Sequence, residues 1–208
     1  MGTTTLTDLK LRFDVTEVGD VVHEARRELA RALSVNKGVR RLEVGGSWSD
    51  ESEAHLLADT LQSSRTLCHV SFFPKEHEIV TSLAGMLSPK ISANYSLLSM
   101  SGYGSFLRGG HWFQVSEVIR RNCALVTRAA HFVIGTKVKY CAAALELVHS
   151  NPGLVEKVRE LASVDEDEAA SRIKESLKSM SELDDFMRLA GVVRYGVTCH
   201  SRDDGLLL

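Results

Sequence analysis

This sequence has no large excess of positive or of negative charge. It contains 25 lysines and arginines and 27 aspartates and glutamates, which gives a formal net charge of −2 over 208 residues. Such a balance provides no general attraction to nucleic acid or to an anionic membrane, so we expect neither as a partner. Apolar residues make up 44% of the chain, enough for one domain or two small ones with a real core.

The sequence features typical of exported proteins and of membrane proteins are also missing. No stretch approaches the roughly 20 apolar residues of a membrane helix, and the first residues lack the basic start and apolar run of a signal peptide. The cysteines are far apart and follow neither disulfide nor zinc spacing; they are Cys68, Cys123, Cys141 and Cys199. We therefore expect reduced thiols in a cytoplasmic protein, with no metal and no cofactor.

Signatures of catalysis are absent as well. There is no Gly-x-x-x-x-Gly-Lys phosphate loop, no Gly-x-Ser-x-Gly elbow and no His-Glu-x-x-His helix. Cys68-His69 is an adjacent thiol–imidazole pair, but neighbouring residues of a strand point to opposite faces, so these two cannot act as a dyad. We expect no enzyme. The alternative is a thiol enzyme in which Cys68 has a distant partner.

What the sequence does contain is an internal repeat. The stretch 36–44 has counterparts at 63–72, 94–102 and 122–125. The anchor residues of these copies are spaced by 28, 30 and 28 residues; they are Val39, Leu67, Leu97 and Leu125. A fixed period in this range is typical of solenoid proteins, in which each repeat packs on its neighbours.

Helix and strand predictions follow this repeat. Residues 6–13 alternate apolar and polar and predict an irregular first strand. Apolar residues at helical spacing predict helices at 20–34, 51–62, 77–87 and 111–121. Beyond residue 123 the strand pattern is lost, and we expect helices at 124–133, 137–149, 152–162, 165–179 and 182–195. We predict two domains, residues 1–123 and 124–208. No Pro/Gly/Ser-rich linker separates them, so the second should pack on the last repeat.

A longer pattern links each helix to the strand that follows it. It consists of Leu29-Ala30, Leu33, Asn36, Val39, Leu42 and Val44, and similar residues recur at 57–72, 87–102 and 115–125. This pattern resembles the leucine-rich repeat of the ribonuclease-inhibitor type. The resemblance implies an α/β fold: a short leucine-rich-repeat solenoid, with parallel strands on the concave face and helices on the convex face, followed by an all-helical C-terminal capping domain.

The same resemblance carries a functional expectation. This repeat type occurs in nucleotide-binding immune receptors and in a Ran GTPase-activating protein, and it is a scaffold for interactions. It implies non-catalytic binding of a partner protein of unknown identity, in a sensor or adaptor of innate immunity or in a substrate-recruiting subunit. The alternative is a regulator of a small GTPase, for which Arg40, Arg41 and Arg65 are the suggestive residues.

Strand geometry predicts where such a partner would bind. In each copy, the residues just before and just after the second apolar position point out of the concave face. They form two rows, the first of Asp8, Arg41, His69 and Ser99 and the second of Lys10, Glu43, Ser71 and Ser101. Polar stripes of mixed charge suit a wet and selective protein interface. The alternative is a solvated face that has no partner.

Aromatic residues follow the ends of the predicted strands, where rim loops are expected. They are Trp48, Phe73, Tyr103 and Phe106. Two interpretations are open. These side chains cap the hydrophobic core, or some of them are exposed anchors for the partner, since aromatic residues are enriched at interface hot spots.

Overall fold

The computed structural model describes residues 6–13, 20–46, 51–75, 77–102 and 110–189. Its strands are β1 (Asp8–Phe13), β2 (Arg41–Gly46), β3 (His69–Pro74) and β4 (Ser99–Gly102). Its helices are α1 (Asp20–Val35), α2 (Glu51–Ser63), α3 (His77–Leu87), α4 (Gly110–Val133), α5 (Lys139–Val148), α6 (Pro152–Ala162) and α7 (Glu166–Leu189). A 3-10 turn, Ile91–Ala93, lies between α3 and β4.

The four strands form one parallel sheet in the order β1-β2-β3-β4, so the predicted α/β class is confirmed. The strands pair at equivalent positions of the sequence repeat. Arg41 lies between Asp8 and His69, and His69 in turn pairs with Ser99. Because successive strands are also adjacent in space, each connecting helix only has to return the chain to the start of the next strand.

The sheet buries alternate residues against the helices. Residues at even positions of β2 and β3, such as Leu42 and Val70, are buried, while their neighbours are half-exposed or exposed. We expected six residues to form one core. Five of them are buried together, and Leu29 is half-buried at the margin of the same cluster; the five are Leu33, Leu42, Leu57, Leu61 and Val70.

The same side-chain turn precedes three of the strands. Asn36 Oδ1 accepts hydrogen bonds from the backbone N–H groups two and three residues later, both at 2.7 Å. Ser64 Oγ does the same at 3.3 and 3.1 Å, and Asn94 Oδ1 at 2.9 and 2.8 Å. These bonds satisfy backbone donors where the chain leaves a helix and enters the sheet, so the repeat period is visible in the hydrogen bonding as well as in the apolar residues.

Helix α4 differs from the prediction. We expected a helix over 111–121, the start of a fourth repeat at Asn122 and a separate helix from 124, but the chain is one helix from Gly110 to Val133. Asn122 therefore does not make the turn that its counterparts make. From within the helix its Nδ2 donates to the backbone carbonyls of Asn94 at 3.1 Å and Leu97 at 2.9 Å. The side chain thus bonds to the preceding loop without interrupting the helix.

A second hydrophobic core is built by α4 to α7. The N-terminal half of α4 places Trp112, Val115 and Val118 in the core of the sheet, and its C-terminal half places Val126 and Ala129 in the second core. The change of core therefore falls within one helix, on either side of the predicted boundary at residue 123. Helix α7 is also longer than expected, because the helices predicted at 165–179 and 182–195 are joined in one helix, Glu166–Leu189; residues 190–195 lie outside the described part of the chain.

Helix α6 joins the second core to the loop before β4. Asn151 caps the helix by accepting from the Gly153 N–H at 2.8 Å, and its Nδ2 donates to the Tyr95 carbonyl at 2.8 Å. Leu98 packs on the second core so closely that a Cβ at Gly153 would lie 2.2 Å from Leu98 Cδ1. The helical region is therefore held against the sheet region by a buried polar contact and an apolar one.

Truncation of Leu42 tests the register of the sheet. Leu42 is 1% exposed, so Leu42→Ala should lower the free energy of unfolding by roughly 2–5 kcal/mol, as truncations in packed cores do. The measurement is chemical denaturation followed by circular dichroism. Val35→Ala is the control, because Val35 is 76% exposed and should change stability little. Equal stability of the two variants would contradict this packing.

Substitution of Asn151 tests the contact between the two cores. Asn151→Ser keeps a good helix cap but is too short to reach the Tyr95 carbonyl, and it should cost roughly 1–3 kcal/mol of unfolding free energy. Asn151→Ala also loses the cap and should cost about 1 kcal/mol more. Denaturant titrations of both variants separate the two contributions. A serine variant as stable as the wild type would show that the contact with Tyr95 contributes nothing.

Candidate functional site

The side of the sheet that faces away from α1, α2 and α3 carries the two predicted rows. The strand register places Arg41 beside Asp8 and His69, and Glu43 beside Lys10 and Ser71. We call this surface the polar sheet face; it comprises Asp8, Lys10, Arg41, Glu43, His69, Ser71, Ser99 and Ser101. Since neighbouring parallel strands lie about 4.8 Å apart, the side chains of each row are in direct reach of one another.

Contacts within the second row run across the strands. Lys10 Nζ lies 2.6 Å from Glu43 Oε1, and the hydroxyl oxygens of Ser71 and Ser101 are 2.8 Å apart. Lys10 and Glu43 remain well exposed, at 72% and 40% of their side-chain areas. An exposed pair of this kind contributes at most about 1 kcal/mol, so it orders the surface without closing it.

The first row is partly covered by the helical region. Glu156 of α6 places its carboxylate 3.3 Å from Arg41 Nη2 and 3.7 Å from His69 Nε2. Next to this contact, Arg40 Nη2 lies 3.2 Å from Glu166 Oε1 of α7. The structure therefore gives this row a border on α6, and the Arg41 side chain is 52% exposed.

A shallow cavity of about 290 Å³ lies on the polar sheet face beside this border. Its lining includes Asp8, Lys10, Arg41, Glu43, His69 and Ser71. The cavity is slightly smaller than the range of roughly 300–1,000 Å³ that is typical of small-molecule sites, and four of its eight lining residues are charged. Its size and polarity suit contact with side chains of another protein better than enclosure of a ligand.

The surroundings of His69 influence its protonation. Its Nδ1 lies 2.9 Å from Ser99 Oγ, while its Nε2 is buried and makes no hydrogen bond among the described residues. Burial lowers the pKa of His69 below its ordinary value near 6.5, and the positive charge of Arg41 acts in the same direction. The carboxylate of Glu156 opposes both effects. The neutral form of His69 therefore predominates at pH 7.

Cys68 directly precedes β3 and is buried, whereas His69 is partly exposed. Its Sγ donates to the Thr66 carbonyl at 3.4 Å and lies 3.4 Å from Asn151 Oδ1. Burial raises the pKa of the thiol to about 11, so the nucleophilic thiolate is scarce at neutral pH. The described residues also hold no cluster of three or more His, Cys, Asp or Glu side chains that would bind a metal ion.

The remaining predicted residues are dispersed. Phe73 is half-buried in β3, whereas Trp48, Tyr103 and Phe106 lie outside the described residues. The three arginines expected of a GTPase regulator do not line one cavity. Arg41 borders the cavity on the polar sheet face, and Arg65 lines a separate one near Tyr95.

Comparison with known proteins adds no relative: the sequence matches no protein-family model, and no curated protein matches it. In the part of the chain that the structure describes, no helix combines the length and the apolar character needed to cross a membrane.

The contact of Glu156 with the polar sheet face is the feature of the site that sequence reasoning missed. Nothing in the sequence distinguishes Glu156 from the other acidic residues of an amphipathic helix.

The ring of His69 provides a test of these electrostatics. Its pKa, measured by NMR titration of the imidazole Cε1–H, should lie below 6.5. Arg41→Gln removes a nearby positive charge and should raise this pKa, whereas Glu156→Gln removes a negative charge and should lower it further. With a lowered pKa in the folded protein, His69 binds a proton more readily in the unfolded chain than in the folded one. The contribution of His69 to the free energy of unfolding is therefore complete above pH 6.5 and falls as the pH decreases below 6.5. A wild-type pKa above 6.5 would contradict the described surroundings.

Proposed function

We propose that this protein is a non-catalytic scaffold that binds a partner protein through the polar sheet face. We further propose that the sheet region is a short solenoid of leucine-rich-repeat type and that α4 to α7 form its helical cap. The observation that carries the proposal is the alignment of the two polar rows across the parallel strands, opposite a buried apolar face. An aligned and half-exposed polar surface of this kind has no role in the core beneath it.

The repeated turn before the strands supports the solenoid part of the proposal. Asn36, Ser64 and Asn94 make the same pair of hydrogen bonds at intervals of 28 and 30 residues. Helices α1, α2, α3 and α4 contact one another in chain order, as the units of a solenoid do. A solenoid end also exposes apolar edges and needs a cap, a role that suits the contact of α6 with the loop before β4.

The chemistry of the polar sheet face supports a protein as the ligand. The face combines a guanidinium, an ammonium, carboxylates, hydroxyls and an imidazole, and its charges largely cancel. Surfaces of mixed polarity are common at non-obligate protein interfaces, where hydrogen bonds and trapped water provide selectivity. A role as a cytoplasmic sensor, adaptor or substrate-recruiting subunit follows from the repeat type alone and is part of the proposal.

No observation favours the alternative of a GTPase regulator. A residue that acts on a bound nucleotide must reach beyond the surface of its own protein. The side chains of Arg40 and Arg41 instead pair with carboxylates of the protein's own helices, those of Glu166 and Glu156. Arg65 lies elsewhere, so the three do not act together.

Charge substitutions on the second row test the proposal. The double variant Glu43→Arg and Ser71→Arg changes the polar sheet face away from the ion pairs with α6. It should weaken binding of a partner captured from the native cytoplasm by roughly tenfold or more, because wrong charges at an interface cost more than 1 kcal/mol. Affinity is measured by surface plasmon resonance, and thermal melting should change little because both side chains lie outside the core.

The matched control is Glu78→Arg with Thr81→Arg, which makes the same change of charge on the exposed side of α3. This control should bind the partner as the wild type does. Equal affinities of the two double variants would place the binding site elsewhere on the molecule. Failure of the wild type to retain any protein from its native cytoplasm would count against the scaffold itself.

A further inference from the structure

A cavity of about 400 Å³ lies where the sheet region meets the helical region. Three segments of the chain line it: the end of α2 with the turn before β3, the loop before β4, and the end of α5 with the turn into α6. Its volume falls within the range of roughly 300–1,000 Å³ that is typical of small-molecule sites, which occur preferentially where two structural units meet. It shares no lining residue with the cavity on the polar sheet face.

The buried part of this lining is polar and internally hydrogen-bonded. The described part of the chain buries eight polar residues, and four of them line this cavity: Ser64, Asn94, Ser96 and Asn151. Asn94 Nδ2 donates to the Leu61 carbonyl at 2.8 Å, and Ser96 Oγ donates to the Ser64 carbonyl at 2.9 Å. These bonds fix the wall of the cavity before any ligand arrives, and a pre-formed wall lowers the conformational cost of binding.

The exposed part of the lining, in contrast, offers donors that are not in use. The guanidinium of Arg65 and the hydroxyls of Tyr95 and Ser150 make no hydrogen bond to another described residue. Each of these three residues comes from a different segment of the chain, so the fold alone brings them to one cavity. A ligand with several acceptor atoms can therefore engage donors from all three segments at once.

The charge of the cavity is positive. Arg65 is the one charged residue among the described residues that line it, and none of these is acidic. Arg121 adds a second positive charge beside the lining: its guanidinium lies 4.3 Å from the centroid of the Tyr95 ring and donates to the Asn94 carbonyl at 2.6 Å. Glu146, the acidic residue closest to the lining in sequence, is not part of it. The cavity therefore favours a negatively charged ligand, although the protein as a whole carries a formal net charge of −2.

We propose that this cavity binds a small organic anion. Its carboxylate or phosphate group pairs with Arg65 and accepts a hydrogen bond from Ser150, because a guanidinium presents parallel donors that match both kinds of anion. Its apolar part packs on Tyr95 and Leu147, which are 37% and 51% exposed and add apolar area to the same lining. An apolar contact with a few placed polar groups is the usual composition of a small-molecule site.

The position of the cavity gives such a ligand a second effect. Arg65 and Tyr95 belong to the sheet region, whereas Leu147 and Ser150 belong to the helical region, so a bound anion contacts both. A ligand that binds only the folded chain raises its melting temperature as the ligand concentration increases. The inference does not depend on binding of a protein by the polar sheet face, because the two sites have separate linings.

The test uses phenyl phosphate and benzoate as probes, benzamide as the uncharged counterpart of benzoate, and inorganic phosphate as an anion without an apolar part. Amide NMR titration of the full chain should show saturable shifts at residues 62–65, 93–96 and 147–151 with both aromatic anions. Inorganic phosphate should bind at the same residues more weakly, and benzamide should cause no saturable shift there. The ratio of the affinities for phenyl phosphate and benzoate shows which anionic group the cavity prefers, and both affinities should fall with added salt.

Two variants separate the polar contact from the apolar one. Arg65→Gln should weaken binding of phenyl phosphate by about tenfold or more, because it removes charge-assisted hydrogen bonds. Leu147→Ser should weaken binding of phenyl phosphate but leave that of inorganic phosphate unchanged, because it removes apolar area alone.

The matched control is Arg159→Gln on the exposed side of α6, which removes the same charge elsewhere and should bind phenyl phosphate as the wild type does. All three positions are exposed, and thermal melting verifies that each variant is folded. The proposal would be overturned by the absence of saturable shifts with both aromatic anions, by equal binding of benzamide, or by equal affinity of the Arg65→Gln variant and the wild type for phenyl phosphate.

Discussion

The in-register pairing of the parallel strands is the constraint on which the rest of this structure depends. Side chains alternate between the two faces of a strand, so the choice that buries Leu42 and Val70 also exposes Arg41 and His69. A slip by one residue would place a guanidinium and an imidazole in the core and expose the apolar residues. The core and the polar sheet face are therefore two consequences of one register. The burial of the apolar side chains that stabilises the core also determines where the polar side chains lie.

Backbone hydrogen bonding then determines where the helical region docks. Among the described residues no strand pairs with β4 on its outer side, so carbonyl groups of the loop before β4 need other partners. A buried carbonyl without a partner is costly. Side-chain amides from two helices fill this role. Asn122 of α4 donates to the carbonyls of Asn94 and Leu97, and Asn151 at the start of α6 donates to the carbonyl of Tyr95. The last loop of the sheet region thus specifies its contact with the helices through a few directed bonds.

Sequence reasoning was sufficient for those features that repeat locally. Anchors spaced by 28 to 30 residues predicted the strands, the helices before them and the cross-strand neighbours of Arg41 and His69, because these follow from periods of two and 3.6. Sequence reasoning was insufficient where contacts between residues far apart in the sequence determine the local structure. Asn122 was expected to begin a turn as its counterparts do, but packing of Val126 and Ala129 in the second core keeps the chain helical. The ion pair of Glu156 with Arg41 joins residues far apart in sequence, and no local pattern encodes such a pair.

The two kinds of contact between α6 and the sheet region differ in strength, and the difference bears on how a partner would reach the polar sheet face. The pair of Arg41 with Glu156 is half-exposed, and ion pairs of this kind contribute about 0–1 kcal/mol. The buried bonds of Asn151 and the packing of Leu98 against Gly153 are stronger contributions to the docking of α6. A partner carboxylate can therefore replace Glu156 at Arg41 at little cost while α6 stays in place. The structure combines a firmly docked helix with an easily exchanged charge at its edge, so the first row can take part in binding without any rearrangement of the fold.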